Sequence, residues 1–527
     1  MGKRRLPFLE EAIMLQQLYK TMAWRGITRR QWLKASGMGL GGLALGRFVA
    51  GCSRNTTAKA ELVCPNNACG YPNGIPTAAY GYVADLAIYT PDMQNDLDSD
   101  EMRITFLGSV FPPTRRAQEM MSIFVEVGPW VENVGGGFGH ATDSFVFDIG
   151  PGSITNYNAM GISASRMNKV FISHLHGDHM GDLTSLYCFG PAVDRKFPLY
   201  VFSHGPSEVP NPTAPPELYD DGVIAFCQHF REAMRWHTES FSFLQTGWTN
   251  YPVPSKKDWG LPHEPIPVGT DPANDGYALV PIELPWRKVG GVAYDNPTTG
   301  VKLTHFPVIH CRQGSIGYKL EWNGLTMIYT SDTRPETNCI AQAKNPDPIT
   351  GIPRGVDVFI HEMILPPELL TMKNLGYQYP PPPGTKPAFD QAVGIISDIE
   401  ESSHTPQGAF GYLLSRIDPK PKLSVLAHFP VADDTVECAL KSVKNHFPQG
   451  DYPVLGRDIV WATDLMVLRV KKSGITQLMG HVSDYTFNPP TNIYSPLNPQ
   501  KYATPTTQLD ETTLIKPGDN TYCENGY

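Results

Sequence analysis

Within six residues the chain places three imidazoles and a carboxylate, in His174-Leu-His176-Gly-Asp178-His179. They follow Lys169-Val-Phe-Ile-Ser173, an apolar, β-branched run that reads as a strand ending at Ser173. Alternation along an extended backbone sends His174 and His176 to one side, while Asp178 and His179 turn toward a neighbouring position. Four such groups on one turn cannot each be hidden separately in a core, because buried imidazoles and carboxylates need partners. Nitrogen ligands at one point and a mixed nitrogen and oxygen set at the next suit two adjacent cations. The fold must therefore present this turn at the open end of a strand.

The surrounding pattern agrees. Further strand-like runs cover 102–108, 122–127, 143–148, 316–321, 325–330, 356–360 and 423–426, with helical stretches between some of them. Short strands, intervening helices and ligands at strand ends predict a layered α/β domain over 101–480. Between about 195 and 300 the pattern weakens, apart from a helical stretch at 224–238, and this segment reads as a large insertion. It carries Phe226, Phe230, Trp236, Phe241, Phe243, Trp248, Tyr251 and Trp259, which serve as packing or as an apolar lid over the site. The Gly-rich loop 135–139 is a second segment able to reach the site. Residues 52–100 read as a linker and loose extension, and 481–527 as a Pro/Asn/Thr-rich C-terminal tail.

The first 51 residues read as an address. They hold nine Lys or Arg against two acids, in a chain whose net charge is −9. Thr28-Arg29-Arg30-Gln31-Trp32-Leu33-Lys34 is a twin-arginine export motif, and a weakly apolar, Gly-rich run follows from Met38 to Ala50. Val49-Ala50-Gly51-Cys52 resembles a lipoprotein cleavage box, with Cys52 as the lipidated residue. The expected location is the bacterial periplasm, reached by the twin-arginine route, with a lipid anchor at Cys52. An oxidising compartment permits a Cys64–Cys69 disulfide, for which Cys523 competes. Cys188, Cys227, Cys311, Cys339 and Cys438 sit among apolar residues and read as buried hydrophobes.

The spacing H-x-H-x-D-H resembles that of the metallo-β-lactamase superfamily, and the likeness extends over roughly 102–470. It implies a four-layer αββα fold with the insertion and tail appended. It also singles out His310 in Phe306-Pro-Val-Ile-His310, Asp332 in Tyr329-Thr-Ser-Asp332-Thr333, and His428 in Leu426-Ala-His428-Phe-Pro. The implied ligand sets are His174, His176, His310 and Asp332 for one metal, and Asp178, His179, His428 and Asp332 for the other. The implied metals are two zinc ions, with manganese or iron able to occupy the same ligands. His361-Glu362 and His404-Thr405, with Gly108 and the 148–153 segment, resemble the ribonuclease Z and arylsulfatase-like branch. That likeness implies that Glu362 orients His404, which gives a proton to the leaving group. Met363 and Ile364 depart from the small residue and Thr usual after His-Glu. Length and leader also resemble exported hydrolases of the guanitoxin-biosynthesis kind, which implies a small-molecule substrate.

Two adjacent dications lower the pKa of a shared water to about 7, so hydroxide becomes available at neutral pH. With Asp178 orienting that nucleophile and His404 as acid, the expected reaction is hydrolysis of a small phosphate or sulfate ester. A lactonase or β-lactamase-like acyl hydrolase is the alternative, since it needs no separate proton donor. A lipoprotein merely stabilised by its metals is the non-enzymatic alternative. Nucleic acid is not an expected partner: residues 201–300 hold 6 Lys or Arg against 12 Asp or Glu, which repels a phosphate backbone. Oligomeric state is not encoded in any pattern along the chain.

Overall fold

A computed structural model describes residues 86–113, 117–132, 139–238, 276–431 and 436–482. Its strands form two sheets. The first has nine, in the order β1 (Ala87–Tyr89), β16 (Gly474–Gly480), β15 (Met466–Lys471), β2 (Met102–Gly108), β3 (Ser122–Val131), β4 (His140–Phe147), β5 (Lys169–Phe171), β6 (Leu199–His204) and β7 (Leu279–Leu284). The second has seven, in the order β14 (Ile459–Trp461), β13 (Leu423–Ala427), β12 (Val358–Glu362), β11 (Leu325–Tyr329), β10 (Ile316–Trp322), β9 (Val301–Pro307) and β8 (Gly291–Asn296). In the first sheet β4 to β7 run parallel, and in the second β11 to β14 do.

Two apolar clusters explain the layering. One lies between the sheets and takes Ile123, Val125 and Val127 from β3, Leu325 and Met327 from β11, and Val358 and Ile360 from β12. The intervening Phe124, Ile328 and Phe359 belong to the other cluster, on the outer faces. Helices cover those faces: α3 (Leu183–Val193) and α4 (Val223–Ala233) through Leu186, Tyr187 and Cys227, and α8 (Gln407–Ser415) and α9 (Val436–Lys444) through Phe410, Leu413, Ala439 and Val443. The remaining helices are α1 (Ser153–Ala159), α2 (Gly177–Met180), α5 (Thr337–Lys344), α6 (Pro367–Leu375) and α7 (Lys386–Ser403). This is the αββα order expected from the sequence. Parallel strands buried on both faces need apolar residues at successive positions, as Val170-Phe171 in β5 and Val358-Phe359-Ile360 in β12 show. The β10–β11 hairpin turns on Asn323 (φ 50°) and Gly324 (φ 78°), the two left-handed positions that a two-residue turn of this kind demands. No described helix is long and apolar enough to cross a membrane.

The segment expected as an insertion contributes to both sheets, since β6, α4, β7 and β8 all lie within 195–300. β7 and β8 are edge strands with half-exposed residues, so their sequences lack the apolar run of an interior strand. Likewise β1 and the 3₁₀ turn Pro91–Asp96 fall in the stretch expected as linker; a three-residue strand is too short to show a period. The export motif, Cys52, Cys64, Cys69, the 135–138 part of the Gly-rich loop, residues 239–275 and 483–527, Cys523 included, lie outside the described residues. Of the insertion's aromatics, Phe226 and Phe230 stack on each other at 5.7 Å and pack against the core, while Trp236 is exposed. Cys188, Cys227 and Cys339 are buried as expected, but Cys311 and Cys438 are exposed.

Candidate metal centre

The residues singled out from the sequence arrive at one place, and all but His404, which caps the C-terminus of α7, sit at or just past the end of a strand. Asp148 follows β4, His174 to His179 follow β5, His310 follows β9, Asp332 follows β11, Glu362 closes β12 and His428 follows β13. In parallel sheets the loops after the strands converge on a common edge, where ligands usually bind. Asp148 (φ 53°), Ser331 (φ 55°) and His428 (φ 56°) all take left-handed backbone conformations there, which side chains other than glycine rarely adopt. Such strain clusters where a side chain must be aimed at a fixed point.

Two ligand groups result. Donor atoms of His174, His176 and His310 lie within 4.8 Å of one another, and so do those of Asp178, His179, Asp332 and His428. His176 Nδ1 stands 3.0 Å from His174 Nε2 and 3.2 Å from His310 Nε2. Asp332 stands between the groups: Oδ1 is 3.3 Å from His179 Nε2, while Oδ2 is 3.3 Å from His428 Nε2, 3.8 Å from His310 Nε2 and 4.0 Å from His174 Nε2. Asp178 Oδ2 is 3.4 Å from both His179 Nε2 and His428 Nε2.

Outer partners aim these rings. His310 donates from Nδ1 to the Ser403 carbonyl at 2.9 Å, which turns Nε2 to the centre. His179 donates from Nδ1 to Asp148 Oδ2 at 2.7 Å. Asp148, fully buried, also accepts from the Ser173 backbone N–H, the Ser173 hydroxyl and the Tyr329 hydroxyl. A carboxylate behind a ligand histidine fixes its tautomer and raises its basicity. Asp148 opens the 148–153 segment, and no local pattern in the sequence marks it for this role. Its signal is the strand end facing Ser173, visible only once β4 and β5 are paired.

The donor set fits divalent cations. His179 Nε2 and Asp332 Oδ1 are buried without a hydrogen-bond partner, although they face each other at 3.3 Å. A cation between them satisfies both, whereas a buried unpaired polar atom is costly. Burial, reinforced by neighbouring imidazoles, pushes His174 down and His310 down to about 4, so both offer neutral lone pairs. Burial raises the cost of charge on Asp332, yet the histidines around it hold it well below the carboxylate range. The centre is open on one side: His176 is exposed, and nothing lies within 4 Å of where a Gly177 side chain would start.

Beside this centre, His404 donates from Nδ1 to Glu362 Oε2 at 2.9 Å, and Glu362 Oε1 accepts from the Thr333 N–H. Burial works against charge on His404, but the Glu362 carboxylate outweighs it and lifts the imidazole to about 9. His361, by contrast, is a strut. Its ring joins the Thr330 and Thr405 hydroxyls at 2.7 and 3.0 Å, and burial pushes it down to about 3.

Two facing sheets between helix layers, with this turn and its partners at the strand ends, constitute the metallo-β-lactamase fold. No protein-family model matches the chain. Among curated proteins it is similar to ribonuclease Z of Treponema denticola, 39% identical over 67 residues, which is 13% of this chain and 21% of that one. It is also similar to ribonuclease Z of Azobacteroides pseudotrichonymphae, 31% identical over 104 residues, or 20% and 31% of the two chains. The chain thus spans less than a third of the length of these relatives. A metallo-β-lactamase fold protein from Bacillus subtilis, YhfI, aligns at 13% identity with a TM-score of 0.39, over 70% of this chain and 100% of that one.

Proposed function

We propose that the chain is a binuclear metal-dependent hydrolase of small phosphate or sulfate esters. The Glu362–His404 pair carries this reading, since it sets a proton donor beside two ligand groups without belonging to either triad around Asp332. His174, His176, His310 and Asp332 would hold one cation, and Asp178, His179, His428 and Asp332 the other. When bound, two such cations supply an acidified water and neutralise charge on the ester oxygens. Asp178, partly exposed, orients the attacking water through its carboxylate. His404, with its Nδ1 held by Glu362, gives its proton to the departing ester oxygen, a task worth about 10²–10⁴-fold in rate. Zinc suits the His-rich donor set best.

Metal content of the purified chain, coupled to turnover of aryl phosphodiester, aryl sulfate and lactone substrates, tests this. The expected result is two metals per chain, with ester cleavage abolished in a His404→Ala variant that keeps both. Lactone opening indifferent to His404 would instead establish the acyl hydrolase, and no metal with no turnover would leave a scaffold. The reading includes export by the Arg29-Arg30 motif and a lipid on Cys52. Replacing both arginines by lysine and fractionating a bacterial host should leave the protein in the cytoplasm; an unchanged distribution removes the export claim.

A further inference from the structure

One group at the mouth of the centre is used by neither ligand set. Cys311 follows His310 directly and is exposed, where a buried hydrophobe was expected. Donor atoms of His310, Cys311 and His404 lie within 4.8 Å of one another, and the His310 and His404 rings are 4.8 Å apart. Nδ1 of His404 is committed to Glu362, so Nε2 is the atom left to meet a ligand. Nδ1 of His310 is likewise committed, to the Ser403 carbonyl.

We propose that Cys311 and His404, beside His310, form a third cation site that takes a thiophilic dication such as zinc or cadmium and closes the centre. Soft thiolate and imidazole ligands select such ions. Each ligand releases its proton to solvent as its bond to the cation forms, and nothing is oxidised. Two protein ligands at a solvent-open mouth bind more weakly than the buried groups around Asp332, so this site fills last. Its occupation takes His404 away from the substrate. Excess zinc or cadmium therefore inhibits. This consequence for turnover rests on the hydrolase reading, but the binding itself does not.

Titrating the metal-free full chain with cobalt(II) separates the two. Beyond two equivalents, a thiolate-to-cobalt charge-transfer band appears in the near ultraviolet, and it is lost in both Cys311→Ser and Cys311→Ala. With turnover in hand, Cys311→Ser keeps the rate seen at stoichiometric metal. It raises the cadmium concentration for half inhibition by at least the roughly 10-fold that loss of a mere outer partner costs a metal site. No band, or a band that survives both substitutions, overturns the proposal even if the chain is an active hydrolase. A Cys311-dependent band in a chain without turnover upholds the site and removes only the hydrolase reading.

Discussion

Glu362 links the two halves of the centre: its Oε2 accepts from His404 Nδ1 at 2.9 Å, and its Oε1 accepts from the backbone N–H of Thr333, the residue after Asp332. The carboxylate between the ligand groups and the proton donor are thus held to one rigid strand end. Thr405 adds a second tie, donating from its hydroxyl to the Thr333 carbonyl at 2.6 Å.

The pair predicts a pH profile. A general acid works only while protonated, so with His404 lifted to about 9 the rate holds below that pH and falls as pH rises through it. In Glu362→Gln the lifting charge is gone, and the alkaline limb moves down toward the ordinary histidine value of about 6.5. The rate on substrates with poor leaving groups falls by about 100-fold, while a nitrophenolate, which departs unaided, is much less affected. Measuring kcat against pH for both leaving groups decides it; an unmoved alkaline limb would remove His404 from the acid role.

Asp332 faces four imidazoles, so its charge is needed by both ligand groups. Asp332→Asn keeps the shape and removes the charge. The expected result is loss of at least one metal per chain by elemental analysis, with turnover down by roughly 100-fold or more. Full metal content in the variant would show that Asp332 does not join the two sites.

Asp148→Asn tests the partner that was not assigned from the sequence. An amide nitrogen facing His179 Nδ1 would force the ring to point a hydrogen, not a lone pair, at the centre. Affinity for the second metal should drop about 10–100-fold, while circular dichroism stays that of the wild type. Competition with a chelator of known affinity reads the change, and equal affinity in the two proteins would leave Asp148 a purely structural group.

Chelation should also lower the melting temperature. A cation present at 100 times its Kd stabilises the folded chain by about 2.7 kcal/mol, and its removal leaves His179 Nε2 and Asp332 Oδ1 unpaired. Differential scanning calorimetry with and without chelator measures the shift, and identical curves would argue against resident metal.

Away from the centre, Phe171 is sandwiched between the sheets, stacked on Phe202 at 4.2 Å and edge-on to Tyr318 at 5.6 Å. Phe171→Ala should cost about 3–5 kcal/mol in denaturant unfolding, because the packed sheets cannot close the cavity. A cost under about 1 kcal/mol would mean that the layers move together freely.

The local chemistry was legible in the chain. His174, His176, Asp178 and His179 share one turn, and β2 has the boundaries predicted for it, because Met102, Ile104 and Phe106 alternate toward the core between the sheets. Edge strands escaped for the opposite reason: β7 and β8 are half exposed, so residues 195–300 looked like an excursion rather than sheet. Cys311 closely follows the apolar run Phe306–Ile309, which suggests burial, but its immediate neighbours are His310 and Arg312 and it is exposed.

Residue types and spacing along the sequence alone determined which groups can bind cations and that a strand end carries them. Only the tertiary structure decided that strand ends from both sheets share one edge. There His310 and His428, each unremarkable in its own segment, both stand within 4 Å of the Asp332 carboxylate. It also decided that Asp148 backs His179 and that Cys311 opens to the mouth. These are contacts between segments tens to hundreds of residues apart, set by strand order and register, and no local pattern encodes them.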